Sequence, residues 1–210
     1  MNEKNDLVQQ QEMEKLQEIL QAMKMPQIKQ ELEDMRRCIE ENSKDVERQD
    51  ILKWLSEVYF EDHHNLIKSN RHPGSGEWLF KKGEFISWKE CTESSILWLH
   101  GFPGAGKTNL VSAVIDQFIA TRRKMEAVAH FYCKYDQDPS QIMRAIVKQL
   151  SSVEAGSKLS QPVKNIYKKR KDGGFTSGPL TMAESESLLI EMTANYESTF
   201  ICIDALDECD

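Results

Sequence analysis

Two short runs in this chain carry residues whose types and spacing can do chemistry. The first, GFPGAGKT, fits G-x-x-x-x-G-K-[ST] at Gly101, Gly106, Lys107 and Thr108. In such a loop phosphate oxygens must approach backbone amides that side chains would obstruct. Gly101, Gly104 and Gly106, with the small Ala105 between them, leave the backbone free to wrap the phosphates. Lys107 would set its ammonium on the β- and γ-phosphates, and the Thr108 hydroxyl would ligate magnesium. The N-terminus of a following helix would add its partial positive charge. The pattern therefore calls for ATP or GTP with Mg2+. It reads phosphates and is silent on the base.

The second run is FICIDALDE. Phe200 to Ile203 form a short apolar strand that carries Asp204 to the carboxyl edge of a sheet, where its carboxylate can hold magnesium through the ion's water shell. Asp207 and Glu208 follow at about one turn, where a base to orient an attacking water could stand. A switch-type GTPase wants D-x-x-G here, and Asp207 occupies the glycine's place, which weakens that reading.

The elements that must position these residues show in the flanking patterns. SSILWLHG, Ser95 to His100 and the glycine after it, reads as a buried parallel strand leading into the loop, and TNLVSAVIDQFIA as the helix leaving it. The same order returns in AVAHFYCKY followed by PSQIMRAIVKQL, with Pro139 in a helix's first turn. Helices are expected near Pro162 to Lys171 and Ala183 to Thr193, ahead of the last strand. Strands alternating with helices mean a parallel α/β sheet flanked by helices.

Upstream, Leu7, Met13, Leu16, Leu20, Met23, Ile28, Leu32, Met35 and Ile39 recur mostly three or four apart between polar residues, an amphipathic helical arm that Pro26 should break or kink. A coiled coil for self-association, or for a protein partner, and a helix packing back on its own domain are both open readings. RQDILKWLS keeps the helical rhythm through Ile51, Leu52 and Leu55, and NRHPGSGEWLF gathers turn residues. The chain thus divides into a helical arm at 1–48, a helical and turn segment at 49–94, and the segment holding both motifs at 95–210, with the boundary between Ser43 and Ile51.

Composition narrows the classes. A formal charge of −7 over 210 residues argues against broad affinity for nucleic acid. Apolar runs fall short of the roughly 20 residues that span a bilayer, and the polar start has no signal-peptide core, so an intracellular, cytoplasmic protein is expected, not a membrane one. Five dispersed cysteines read as reduced thiols. The basic run YKKRKDGG reads as a solvated helix end. His63 and His64 follow Glu61 and Asp62 but lack a metal-site partner cluster, and His100, His130 and the tryptophans read as packed structural residues.

Together GFPGAGKT, HFYCKY and FICIDALDEC resemble the NACHT-type signal-transduction NTPases, above all the nephrocystin-like P-loop domain of fungal multidomain proteins, from about Ile51 onward. That group shows a tiny residue after the magnesium aspartate and acidic residues two and three places later, met here by Ala205, Asp207 and Glu208. RHPGSGEWLF and EFISW are similar to its glycine-tryptophan segment at Gly74, Gly76, Trp78 and Trp88. The resemblance implies a P-loop NTPase fold and a nucleotide-driven switch with slow hydrolysis, an N-terminal effector region and C-terminal repeats such as ankyrins. It also implies a domain cut short after the acidic motif, without the strand that inserts between the P-loop strand and the acidic strand. Competing readings are a catalytically silent interaction module and a small-molecule P-loop kinase, whose arginine-bearing lid is not evident. By itself the chain is then expected to be poorly soluble or to bind nucleotide weakly. A cooperative thermal melt together with micromolar ATP binding would contradict that expectation.

Overall fold

The computed structural model describes residues 2–22, 26–135, 137–151, 159–174 and 178–209. The chain separates into two compact units, Met1–Asp50 and Ile51–Asp210. The first holds α1 (Asn2–Ala22) and most of α2 (Pro26–Leu55). Pro26 opens α2 at a position where a missing N–H breaks no helical bond. Met23 lies outside the described residues. Leu16, Ile19, Ile28, Met35, Ile39 and Val46 are all exposed.

In the second unit the end of α2 is followed by α3 (Phe60–Asn70), a turn, a 3₁₀ segment (Leu79–Lys81), α4 (Gly83–Lys89) and α5 (Lys107–Thr121). Then come β1 (Glu126–Tyr132), α6 (Pro139–Ser151), α7 (Gln161–Asp172), α8 (Met182–Thr193), β2 (Ser198–Asp204) and a 3₁₀ turn (Leu206–Glu208). The unit is mostly helical around a two-stranded parallel sheet, an α/β arrangement. A parallel pair needs a long crossover, and α6 to α8 supply it. The register runs from Glu126 beside Ser198 to Tyr132 beside Asp204, so those two residues end the sheet side by side.

Alternation along the strands divides the core. Ala127, Ala129 and Phe131 face a cluster built from α6, α7, α8 and the end of α2, including Ile146, Leu150, Val163, Leu188, Ile51 and Leu55. Val128, Phe200 and Cys202 face the other way, onto Val114 and Phe118 of α5 and Phe85 of α4. The side of β1 away from β2 is closed by a side chain: the buried Gln149 amide of α6 donates to His130 O at 2.8 Å and its Oε1 accepts from His130 N at 2.9 Å. One glutamine thus does for β1 what a neighbouring strand would do.

The expected strand at Ser95 to His100 is not part of this sheet. Its alternation is strand-like, because Leu97 and Leu99 pack against the α5 cluster while Ile96 and Trp98 stand 90% and 66% exposed. One face is buried instead of two, and among the described residues no backbone ladder joins it to β1 or β2. Apolar side chains can seat a segment on a core, but a strand in a sheet also requires a neighbour at hydrogen-bonding distance.

The basic run at the end of α7 is only partly a solvated helix end. Lys168, Lys169 and Lys171 are exposed, whereas Arg170 donates to Glu184 Oε2 at 2.5 Å and stacks over Trp54 at 5.4 Å. Glu184 is also the third residue of a capping box with Thr181 at the start of α8. The Arg170 hydrogen bond, followed by those from Thr181, holds the Glu184 carboxyl down at about 2. Among the described residues no helix is long and apolar enough to cross a membrane.

The turn before the 3₁₀ segment contains the tightest backbone approach to α5. Gly76 has φ +94°, and a Cβ there would come within 3.0 Å of Leu110 Cδ1 and 3.2 Å of Ala113 Cβ. Gly76→Ala is therefore expected to destabilise the protein by about 1–3 kcal/mol, through both the φ and the contact. Urea titration of the two proteins measures this, and an unchanged midpoint would refute it.

Candidate functional site

The glycine-rich loop enters α5 through two left-handed residues, Gly104 at φ +79° and Gly106 at φ +82°. A Cβ at either would meet nothing within 4 Å, so the requirement for glycine at these two positions comes from backbone conformation. Ala105 N donates to Phe102 O at 3.1 Å, closing the turn between them. Gly106 is the N-cap residue of α5 and provides no side-chain cap, and the first turn carries no acidic residue. The first amides of a 15-residue helix are thus left to an exposed loop. Half-buried Lys107 bends its ammonium back over that loop, donating to Gly101 O at 2.9 Å and Phe102 O at 3.4 Å. Gly101, Ala105 and Thr108 are exposed, with Thr108 in the first turn of α5.

Asp204 is the last residue of β2 and is buried at 7% exposure, whereas Asp207 and Glu208 lie exposed on the 3₁₀ turn. The chain gets from one to the other through Ala205, at φ 54° and ψ 40°, the one non-glycine residue with positive φ among the described residues. A left-handed residue costs on the order of 1–2 kcal/mol when it carries a Cβ, least for the smallest side chain. That gives a physical reason for the tiny residue after the aspartate. Glu208 N then donates to Ala205 O at 2.9 Å, and Cys133 N to Asp204 O at 3.0 Å, anchoring both sides of the bend.

A chain of hydrogen bonds centred on Asp116 holds α5 and ends at Tyr132, the neighbour of Asp204 in the sheet. Arg71, just after α3, donates through Nη1 to Ser112 Oγ at 2.8 Å and through Nη2 to Asp116 Oδ2 at 2.6 Å. Tyr132 donates to His64 Nδ1 at 2.8 Å. His64 donates from Nε2 to Asp116 Oδ1 at 3.2 Å, and Lys68 adds a donor to the same oxygen at 2.9 Å. The tautomer that serves both partners of His64 carries its proton on Nε2. α3, α5 and β1 are thereby joined through groups that are mostly buried.

Electrostatics follow this geometry. Burial raises the Asp116 carboxyl, but hydrogen bonds from Lys68, Arg71 and His64 outweigh it and leave the pKa lowered to about 2. Burial first, and the Asp204 charge among lesser causes, pushes the Tyr132 phenol up, so it stays a neutral donor. Burial and then His64 lower His130 to about 4. Burial and Lys134 lower His63, against a pull upward from Asp204.

Sequence reasoning missed Arg71, Ser112, Asp116 and Tyr132. A signal was present in Asp116, a lone carboxylate beside Ile115 and Phe118 on an otherwise apolar helix. His64 and His130 are structural, as the residue pattern suggests, but His100 is exposed, and so are Trp78 and Trp98. These three lie on turns and on the unpaired segment, where no second layer covers them. Among the described residues no three His, Cys, Asp or Glu side chains gather to ligate a metal.

The family described as Nephrocystin 3, N-terminal, matches residues 74–210, a start later than the Ile51 suggested by motif resemblance. The chain is also similar to the vegetative incompatibility protein HET-E-1 of Podospora anserina, 24% identical over 138 residues. That alignment covers 63% of this chain and 10% of the relative, so the chain spans about a tenth of it. No solved structure matches.

This network makes a pH prediction. A depressed carboxyl contributes stability that is fully present above its unfolded value, about 3.9, and is lost as pH falls through about 2. Asp116→Asn should therefore cost about 1–2 kcal/mol at neutral pH after allowance for solvent screening. The gap from the parent should narrow in acid below about pH 4. Denaturant titrations at several pH values test this, and a pH-independent difference would refute it.

Proposed function

Because the chain belongs to the Nephrocystin 3, N-terminal family, we propose that residues 95–210 serve a nucleotide-binding signalling module that takes the triphosphate of ATP or GTP with Mg2+. The observation that carries this reading is the entry to α5. A helix N-terminus without a side-chain cap, a loop turned by left-handed Gly104 and Gly106, and the Lys107 ammonium over that loop make a site for a phosphate chain.

Roles follow residue by residue. Amides of Gly104, Ala105 and Gly106 wrap phosphate oxygens, with Gly101 opening the loop. Lys107 exchanges its loop carbonyls for phosphate oxygens, a stronger, charge-assisted pairing. The oxygen donors fit magnesium in kind: a buried carboxylate at Asp204 and a hydroxyl at Thr108, with few protein ligands, as suits an ion that keeps most of its water. Bound there, the ion would neutralise phosphate charge. Asp207 and Glu208, on the exposed turn after Ala205, would orient water for slow hydrolysis. The P-loop NTPase fold and the NACHT type of switch belong to this same reading, as does a cytoplasmic setting.

Titration with a fluorescent nucleotide in the presence of Mg2+ tests it. Lys107→Ala should weaken binding by about tenfold or more, the worth of a lost charge-assisted hydrogen bond. Asp204→Asn should reduce the dependence on Mg2+. Equal binding by the parent and Lys107→Ala would remove the reading.

A further inference from the structure

The exposed apolar stripe of α2 has a geometry of its own. Ile28, Leu32, Met35, Ile39 and Val46 follow one another at steps of four, three, four and seven, and Asn42 fills the step between Ile39 and Val46. At about 100° per residue the five apolar side chains fall within about 40° of one line along the helix. On the same count Ile51 and Leu55, buried in the core of the second unit, lie about 140° and 180° away from that line. One continuous helix therefore carries two apolar faces on opposite sides.

We propose that the 28–46 stripe of α2 pairs with the same stripe of a second copy of this chain, parallel and in register. Leu32, Ile39 and Val46 take one set of seam positions, and Ile28, Met35 and Asn42 the other. Glu31 then flanks the seam on one side and Arg36 on the other, and parallel pairing sets each Glu31 against Arg36 of the second copy, twice by symmetry. Arg36 holds Glu40 of its own helix at 3.1 Å, and its planar fork has donors for a further carboxylate. Parallel register also sets Asn42 beside Asn42 of the other copy, where each amide can meet a polar partner. An antiparallel pair overlapping the whole stripe sets Asn42 against Leu32 and loses the Glu31–Arg36 match. Asp45 would face Asp50 of the other copy, a repulsion that ends the zipper near Val46. The stripe covers fewer than three heptads, so association is weak and concentration-dependent.

Sedimentation velocity of the full chain over a range of concentrations tests this. The expected result is a mass that rises from one to two chains. Met35→Asp should hold the mass at one chain with helical content by circular dichroism unchanged, since Met35 is 62% exposed. Glu31→Arg and Arg36→Glu should each weaken the dimer by about threefold to tenfold. An equimolar mixture of those two variants should recover it, because both cross pairs are then opposite in sign. A monomer at every concentration, or a dimer untouched by Met35→Asp, overturns the proposal. A mixture without recovery overturns the parallel register. Lys107→Ala should leave the mass unchanged, which separates this test from the nucleotide reading.

Discussion

The candidate site depends on one interaction, the grip of Arg71 and His64 on Asp116. α5 bears Lys107 and Thr108 at its start and Asp116 two turns later, so whatever locates Asp116 locates the loop. The Arg71 fork spans Ser112 and Asp116, one turn apart on a single face of α5, and this fixes rotation about the helix axis as well as position. Each member of this network is costly to leave unpaired in its surroundings. Tyr132 transmits the placement to the sheet, since it ends β1 directly beside Asp204. A helix that starts at a glycine-rich loop and a strand that ends in a carboxylate are thereby tied through a few polar contacts.

Around that tie, the two strands are held unequally. β1 is enclosed, with β2 on one side and the Gln149 amide on the other. β2 has β1 alone as a ladder partner among the described residues. Segment 95–100 lies against the α5 cluster through Leu97 and Leu99 while Ile96 and Trp98 face outward. The loop's upstream anchors are side-chain packing and the Trp88 indole bond to Ser95 O at 3.3 Å, while its downstream anchor is a helix gripped through Asp116. Ordering of the loop is expected to come mainly from its helix side.

The two left-handed turns near the site are both local. Gly104 and Gly106 turn the loop with left-handed backbone, and Ala205 turns the chain after Asp204 the same way. The glycines sit where the chain enters α5, and Ala205 where it leaves β2. Glycine adopts that backbone without strain and alanine with little. In contrast, Gly76 answers to a neighbour: its missing Cβ lets the turn before α4 lie against Leu110 and Ala113 of α5.

Much of this was legible in residue order. The loop, its helix, both paired strands and the crossover helices follow from periodicity and turn chemistry, which act within a few residues. The start of α2 at Pro26 and the change of face between Val46 and Ile51 are equally local, since a helix repeats by its own geometry. The alternation in 95–100 was legible too, but not its lack of a ladder, because a backbone hydrogen bond needs a second strand that the segment itself cannot specify. The network around Asp116 was hidden for the same reason: Arg71 and Ser112 are 41 residues apart and His64 and Tyr132 are 68. The sequence alone determined the glycine-rich loop and the acidic strand end. Only the tertiary structure decided which distant side chains hold them in place, because that choice depends on which faces of α3, α5 and β1 come within hydrogen-bonding reach.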